Sequence, residues 1–210
     1  MGKPIVYGPR YSTFTRSAIM TLLERKVAHE VVHVERATDA KQPAHLARHP
    51  FGRVPAFEHN GFMIYETVPI LHYIDDAFPG VRLSPADIHR RTRSEQIMAV
   101  IGTYGYRPMV WGVAVPRCFP EVGVAVDEAE IATAAADSEL VLKAIQDLTL
   151  NPDPFLVGRQ VSLADMLLLP VIDYFVATPE GKAMLPKFPK LAAWHRAMQE
   201  RPSVKETVPG

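Results

Sequence analysis

Apolar and polar positions change period several times along the first part of the chain, and each change marks an element. Pro4–Gly8 (PIVYG) is a short apolar run and predicts a buried strand. Phe14, Ala18 and Leu22 then recur at every fourth position, as do Ile19 and Leu23, so the stretch through SAIMTLLERK predicts a helix with one apolar stripe. Glu30–Val34 (EVVHV) is rich in β-branched residues and predicts a second strand. The polar segment RATDAKQPAHLARHP predicts irregular chain with one short helix. VPAFEH and FMIYE flank Asn60-Gly61, a pair suited to the positive φ angles of a two-residue hairpin turn. ETVPILHYIDDAF predicts a helix capped by Glu66 or Thr67, with Pro69 in the first turn, where a missing N–H leaves no bond unmade.

The resulting order is β-α-β-(α)-β-β-α. Strands joined through a helix pair in parallel and the Asn-Gly hairpin adds an antiparallel pair, so residues 1–80 predict a small α/β domain. PGVRLSPAD, with Pro79, Gly80 and Pro85, predicts a linker. Strand patterns almost vanish after it. Four helical segments follow, from Ile88 to about Trp111, Val126–Leu150, Ser162–Val176 and Leu191–Glu200, and they make 87–210 an all-helical domain. Ser162 and Asp165 stand three apart before an apolar run, a capping-box arrangement with a structural role.

Composition narrows the function more by exclusion than by suggestion. Lys+Arg and Asp+Glu number 23 each, so no charge excess points to nucleic acid or an anionic membrane as partner. The longest apolar run, around MLLLPVI, is too short to span a bilayer. MGKPIVYG lacks a basic stretch before an apolar one, so no signal peptide is read. The single cysteine, Cys118, permits neither an intrachain disulfide nor a cysteine-based metal site, and a reducing cytoplasm is the expected location. No metal is expected.

Three stretches carry a resemblance when taken together. HPFGRVPAFEHNGFMIYETVPILHYI (His49–Ile74) has Pro-Phe-Gly-basic-Val-Pro-Ala, a hairpin, then Glu-Thr opening a helix. GRQVSLADMLLLP (Gly158–Pro170) has a capping box leading into an apolar helix, and YSTFTR (Tyr11–Arg16) is a hydroxyl-rich turn after the first strand. The chain resembles, over essentially its whole length, the cytosolic glutathione transferases, especially their serine-type, phi/theta-like and bacterial members. The resemblance implies a thioredoxin-like N-terminal domain that binds glutathione and an all-helical C-terminal domain. It implies an enzyme that activates the glutathione thiol for attack on a small hydrophobic electrophile. Glutathione-dependent peroxide reduction and a non-catalytic binding or interaction module are the alternatives. It also implies a homodimer, with Phe51 in the interface loop.

The same resemblance distributes the site. Val54-Pro55 stands where the family has a cis bond, which for X-Pro costs only about 0.5–1 kcal/mol. Turned that way, the Val54 backbone would pair with the cysteinyl part of glutathione as an added strand does. Glu66 and Thr67 open a helix, whose unpaired N–H groups suit the γ-glutamyl carboxylate. Thr67 stands where the family usually has Ser. Arg53, Lys41 and Gln42 are candidates for the glycyl carboxylate, although the histidine that relatives carry near Ala40 is missing here. His45 and His49 are expected to be solvated. Ser12 matches the serine that activates the thiol; read locally it is the N-cap of the first helix, and both roles can coexist. Tyr7, at the end of the first strand, is the rival, with a core aromatic as its bland role; Tyr11 and Thr13 are lesser candidates. Ser12 and Thr15 have the spacing of a CxxC pair, but neither is a thiol, which excludes dithiol exchange. Tyr11, Tyr104, Tyr106, Met109 and Trp111 are candidates for an electrophile pocket between the domains, or for core. Cys118 is assigned no role.

Overall fold

The computed structural model describes residues 2–150 and 154–208. These residues form two compact units: one falls within Met1–Ser84 and Arg201–Gly210, the other is Pro85–Glu200. The first contains β1 (Ile5–Tyr7), α1 (Thr13–Glu24), β2 (Glu30–Val32), a 3-10 turn at Asp39–Lys41, α2 (Pro43–Leu46), β3 (Ala56–His59), β4 (Phe62–Tyr65) and α3 (Thr67–Ala77). The sheet is four-stranded with order β2-β1-β3-β4. The strands are one or two residues shorter than their apolar runs, because a run marks burial and a strand also needs a partner.

Register positions the site. Tyr7 lies opposite Val32 in the parallel pair and opposite Ala56 in the antiparallel one, and Ala56 lies opposite Tyr65. These residues make one row across the sheet. The chain leaving β1 at Gly8, leaving β2 at His33, arriving at β3 from Pro55 and leaving β4 at Glu66 therefore all meet at one end. At the other end of the hairpin, Asn60 (φ 52°) and Gly61 (φ 80°) take the positive φ values of a primed turn, as the Asn-Gly pair predicts. Gly8 is needed for close approach: a Cβ there would lie 2.3 Å from Thr15 Oγ1 and 3.2 Å from Val54 Cβ. One face of the sheet packs Tyr7 and Ala56 with Val34 and Ala40.

The second unit is helical: α4 (Ile88–Val100), π-helical turns at Ile101–Gly105 and Arg107–Ala114, α5 (Val115–Cys118), α6 (Glu128–Leu148), α7 (Leu163–Val176), α8 (Pro179–Met184) and α9 (Pro189–Gln199). The first predicted helix thus runs on past Trp111 to Cys118, with its middle wound more widely. Pro108 lies in the widened stretch, where it removes a donor and crowds the preceding turn. This stretch packs against α6 and α7. Helix α7 is buried on nearly every side, and its start is held by Asp165. The buried Asp165 carboxylate accepts from Ser162 N (2.7 Å), Ser162 Oγ (2.6 Å), Leu156 N (3.0 Å) and Trp194 Nε1 (2.7 Å).

Periodicity assigns 87–210 to a single helical domain. In the structure the last helix, α10 (Pro202–Glu206), belongs to the first unit instead and packs on α1. Glu24 on α1 accepts from Arg201 Nε at 2.7 Å and also from Ser203 Oγ. A local pattern shows that a helix has an apolar face but not which surface covers it.

Asp165→Ala would strand four donors, two of them peptide N–H groups, in a dry interior. It is expected to destabilise the protein by about 3 kcal/mol, read as a lowered denaturation midpoint.

Candidate functional site

The turn Gly8–Ser12 closes through Ser12 N donating to Pro9 O at 3.0 Å, and Ser12 caps α1. Its extended backbone (φ −64°, ψ 126°) is the usual cap conformation. Ser12 Oγ accepts a long bond, 3.4 Å, from Thr15 N. No acceptor among the described residues takes the Ser12 hydroxyl proton, and the side chain keeps part of its surface. It stands at the N-terminus of a 12-residue helix whose aligned peptide dipoles favour negative charge.

Tyr7 is committed differently. Glu58 lies two residues beyond Ala56 on β3, on the same face of the sheet, which makes it the diagonal neighbour of Tyr7. Tyr7 Oη donates to Glu58 Oε2 at 2.8 Å, and the Arg48 guanidinium sits 4.4 Å over the ring. Burial, then the bond to a carboxylate, pushes the Tyr7 pKa up. A buried phenol that already gives its proton to an anion is a poor donor to a second one.

Tyr11 is exposed, and its hydroxyl donates to Glu35 Oε1 at 2.5 Å. That contact joins the Ser12 turn to the segment after β2. Glu35 N in turn donates to Asp39 Oδ2 at 3.0 Å, next to Lys41 and Gln42. Burial and the bond to Glu35 push the Tyr11 pKa up to about 12. Lys41 and Gln42 are exposed, and Lys41 lies over Gly52: a Cβ there would come within 3.1 Å of Lys41 Nζ. The 41–42 and 52–53 segments are therefore neighbours. Arg53 is exposed.

Val54 and Pro55 are joined by a cis peptide bond, as expected. Neither backbone polar group of Val54 is hydrogen-bonded by the described residues. Glu66 has φ 70° and ψ 127°, an unusual conformation for a residue with a Cβ. Such an outlier costs on the order of 1–3 kcal/mol and persists only where the surroundings hold it. It turns the chain sharply from β4 into α3. Within α3, Ile70 N donates to Glu66 O at 3.2 Å and Pro69 has no N–H, so the N–H groups of Thr67 and Val68 have no partner within the helix. Thr67 is buried and Glu66 exposed.

His45 and His49 depart from expectation. Both are buried, not solvated, each at 2% exposure. His45 lies on the four-residue helix α2 and His49 just beyond it, too short a stretch to give an amphipathic pattern from which burial follows. His45 Nε2 bonds Arg53 O at 2.7 Å. His49 sits among the His45, Phe51 and Tyr65 rings, and burial lowers its pKa, which favours the neutral form. Glu58, Glu35, Arg48 and His45 are the site residues sequence reasoning missed. Glu58 lies inside the His49–Ile74 stretch but without a role there, the other three lie outside the stretches that carry the resemblance, and only the sheet register and the loop contacts bring them in.

Among the electrophile candidates in the helical unit, Tyr104 is exposed and Tyr106 and Trp111 are half-buried. Met109 has no exposed surface and is a core residue, so it drops out as a pocket wall. Among the described residues no cluster of His, Cys, Asp and Glu could hold a metal, and no helix is long and apolar enough to cross a membrane.

Known proteins share this architecture. The family model described as "Glutathione S-transferase, N-terminal domain" matches residues 6–82, and that described as "Glutathione S-transferase, C-terminal domain" matches residues 129–207. Glutathione S-transferase F9 of Arabidopsis thaliana is 35% identical over 97% of this chain and 95% of its own length. The crystal structure of glutathione transferase F7 from Populus trichocarpa superposes with a TM-score of 0.85, at 26% identity, covering 97% of each chain. A structure of glutathione S-transferase-I bound with lactoylglutathione has a TM-score of 0.83 at 25% identity, covering 98% of each chain.

The ordinary phenol pKa is 10.0, and that of Tyr11 is raised to about 12. The folded protein thus holds this proton more tightly than an unfolded chain does. The resulting stabilisation is complete below pH 10 and lost as pH rises through about 12. Alkaline absorbance titration is expected to show a tyrosine titrating near 12 that Tyr11→Phe removes and Glu35→Gln shifts back toward 10.

Proposed function

We propose a division of labour in the site from one premise: the chain belongs to the glutathione S-transferase family. It is a glutathione transferase, with glutathione as co-substrate, and it transfers glutathione to an electrophile. Within the family we assign it to the serine-type, phi/theta-like side, which includes bacterial members, with Ser12 as the residue that stabilises the thiolate.

The hydroxyl inventory of the turn carries this reading. Ser12 accepts from Thr15 N and keeps its proton to give, whereas the Tyr7 proton goes to Glu58 and the Tyr11 proton to Glu35. A free thiol has a pKa of about 8.5. Lowering it by about two units requires roughly 2.7 kcal/mol of preferential interaction with the anion. A donated hydroxyl and a helix N-terminus together supply such an interaction without a charged base. The thiol proton leaves to solvent. The sulfur lone pair then forms a bond to the electrophilic carbon, and the displaced group departs with its bonding pair.

The remaining assignments rest on family membership and are supported by the meeting of these segments at one end of the sheet. The γ-glutamyl carboxylate is seated on the Thr67 and Val68 N–H groups and the Thr67 hydroxyl, with its ammonium facing the Glu66 carboxylate. Val54 pairs with the cysteinyl backbone beside Pro55. Lys41, Gln42 and Arg53, on adjacent segments, face the glycyl carboxylate. Tyr11, Tyr104 and Trp111 keep accessible surface, as contacts to an electrophile require. We assign the protein to the cytoplasm as a homodimer. Phe51 supports the dimer: it is 64% exposed yet ordered edge-on against His49 and Tyr65, an apolar ring held out from the surface.

Ser12→Ala is expected to raise the pKa of bound glutathione by one to two units, about 1.4–2.7 kcal/mol, while glutathione affinity changes little. The thiolate absorbance of the complex against pH reads this directly. An unchanged thiol pKa in Ser12→Ala, or a loss in Tyr7→Phe, would defeat the assignment. Phe51→Ser is expected to shift sedimentation from dimer toward monomer at micromolar concentration; a wild-type monomer under the same conditions contradicts the dimer.

A further inference from the structure

His45 has no counterpart in the roles assigned above, yet it is buried beside the glutathione segment. We propose that His45 is a positioning residue that aims the Val54 N–H at glutathione. This rests on the reading that Val54 pairs with the cysteinyl backbone. A peptide unit is planar, and in a trans unit the C=O of one residue and the N–H of the next point in opposite directions. The Arg53 carbonyl and the Val54 N–H belong to the same unit, which is trans. His45 Nε2 lies 2.7 Å from that carbonyl. A carbonyl can only accept, so Nε2 carries the proton. Holding the oxygen sets the direction of the N–H on the far side of the plane, and a donor on C=O polarises that N–H toward its own acceptor.

The imidazole is itself held in place. It is 2% exposed, and its ring stacks with His49 at 6.4 Å between centroids. Its Nδ1 is buried without a hydrogen-bond partner. With the Nε2 proton committed, Nδ1 of the neutral ring is only an acceptor, so no buried donor is stranded. Arg53 and Val54 lie in no strand, and no other described residue bonds the Arg53 carbonyl. Without His45 the peptide unit would be free to turn.

The test uses the full chain and glutathione itself. His45→Phe keeps a flat ring and removes the donor; His45→Gln keeps a donor. His45→Phe is expected to raise the glutathione Kd and KM roughly tenfold, as loss of one well-aimed hydrogen bond would. The kcat at saturating glutathione and the pKa of the bound thiol should stay at wild-type values, and His45→Gln should recover much of the affinity. An unchanged KM in His45→Phe, or equal weakening in both variants, overturns the proposal. Wild-type protein that binds no glutathione at all overturns the underlying reading instead. Should His45→Phe not fold, nitrogen NMR of the wild-type ring decides: the Nε2–H tautomer, with the His45 and Val54 N–H signals shifting together on glutathione addition, supports the proposal. The Nδ1–H tautomer, or a Val54 shift without one at His45, overturns it.

Discussion

The register of four short strands is the constraint on which the rest depends. Val32, Tyr7, Ala56 and Tyr65 stand in one row across the sheet, and this brings four chain segments to the same end. One is the hydroxyl-rich turn, another the loop with Lys41 and Gln42, a third the approach through Arg53 and Val54, and the fourth the sharp turn at Glu66. A slip of one residue in any pairing would invert the side-chain faces of that strand. It would also move one segment away from the others. The sheet is small, but its β3–β4 register is pinned by the Asn60-Gly61 turn, which leaves no slack in the hairpin.

Once the segments meet, hydrogen-bond accounting separates groups of similar chemistry. Tyr7, Tyr11, Ser12 and Thr15 all carry hydroxyls within nine residues of chain. Glu58 takes the proton of Tyr7 and Glu35 that of Tyr11, and Thr15 Oγ1 is shut in against Gly8. Ser12 combines partial exposure, a helix start and a proton that no acceptor among the described residues takes. The backbone follows the same logic: among the described residues Val54, Thr67 and Val68 keep unpaired donors, which suits the proposed pairing with an extended peptide-like ligand.

Some of this was legible in the chain. The hairpin follows from one dipeptide, the capping box of α7 from Ser162 and Asp165, and the α3 start from Glu66, Thr67 and Pro69. The cis Val54-Pro55 bond was implied by resemblance and is present. Other features were not legible. His45 and His49 look like polar loop residues, because a four-residue helix and the irregular chain after it leave no periodic trace of a buried ring. Met109 reads as pocket wall or core, and the structure makes it core; a methionine on a long helix looks alike in both settings.

By itself, then, the sequence determined the strands and the long helices, though not the short α8 and α10, and it determined where the linker falls and the turn and capping chemistry of the Asn60-Gly61 hairpin, α3 and α7. These are local matters, set by side-chain period and by the φ preferences of a few residues. Only the tertiary structure decided which hydroxyl is free, which histidine holds the Arg53 carbonyl and which unit takes α10. Each of those depends on partners far along the chain: Tyr7 and Glu58 are 51 residues apart, and Glu24 and Arg201 177 apart. A donor's availability depends on what has already bonded it, and that is known only once distant segments are side by side.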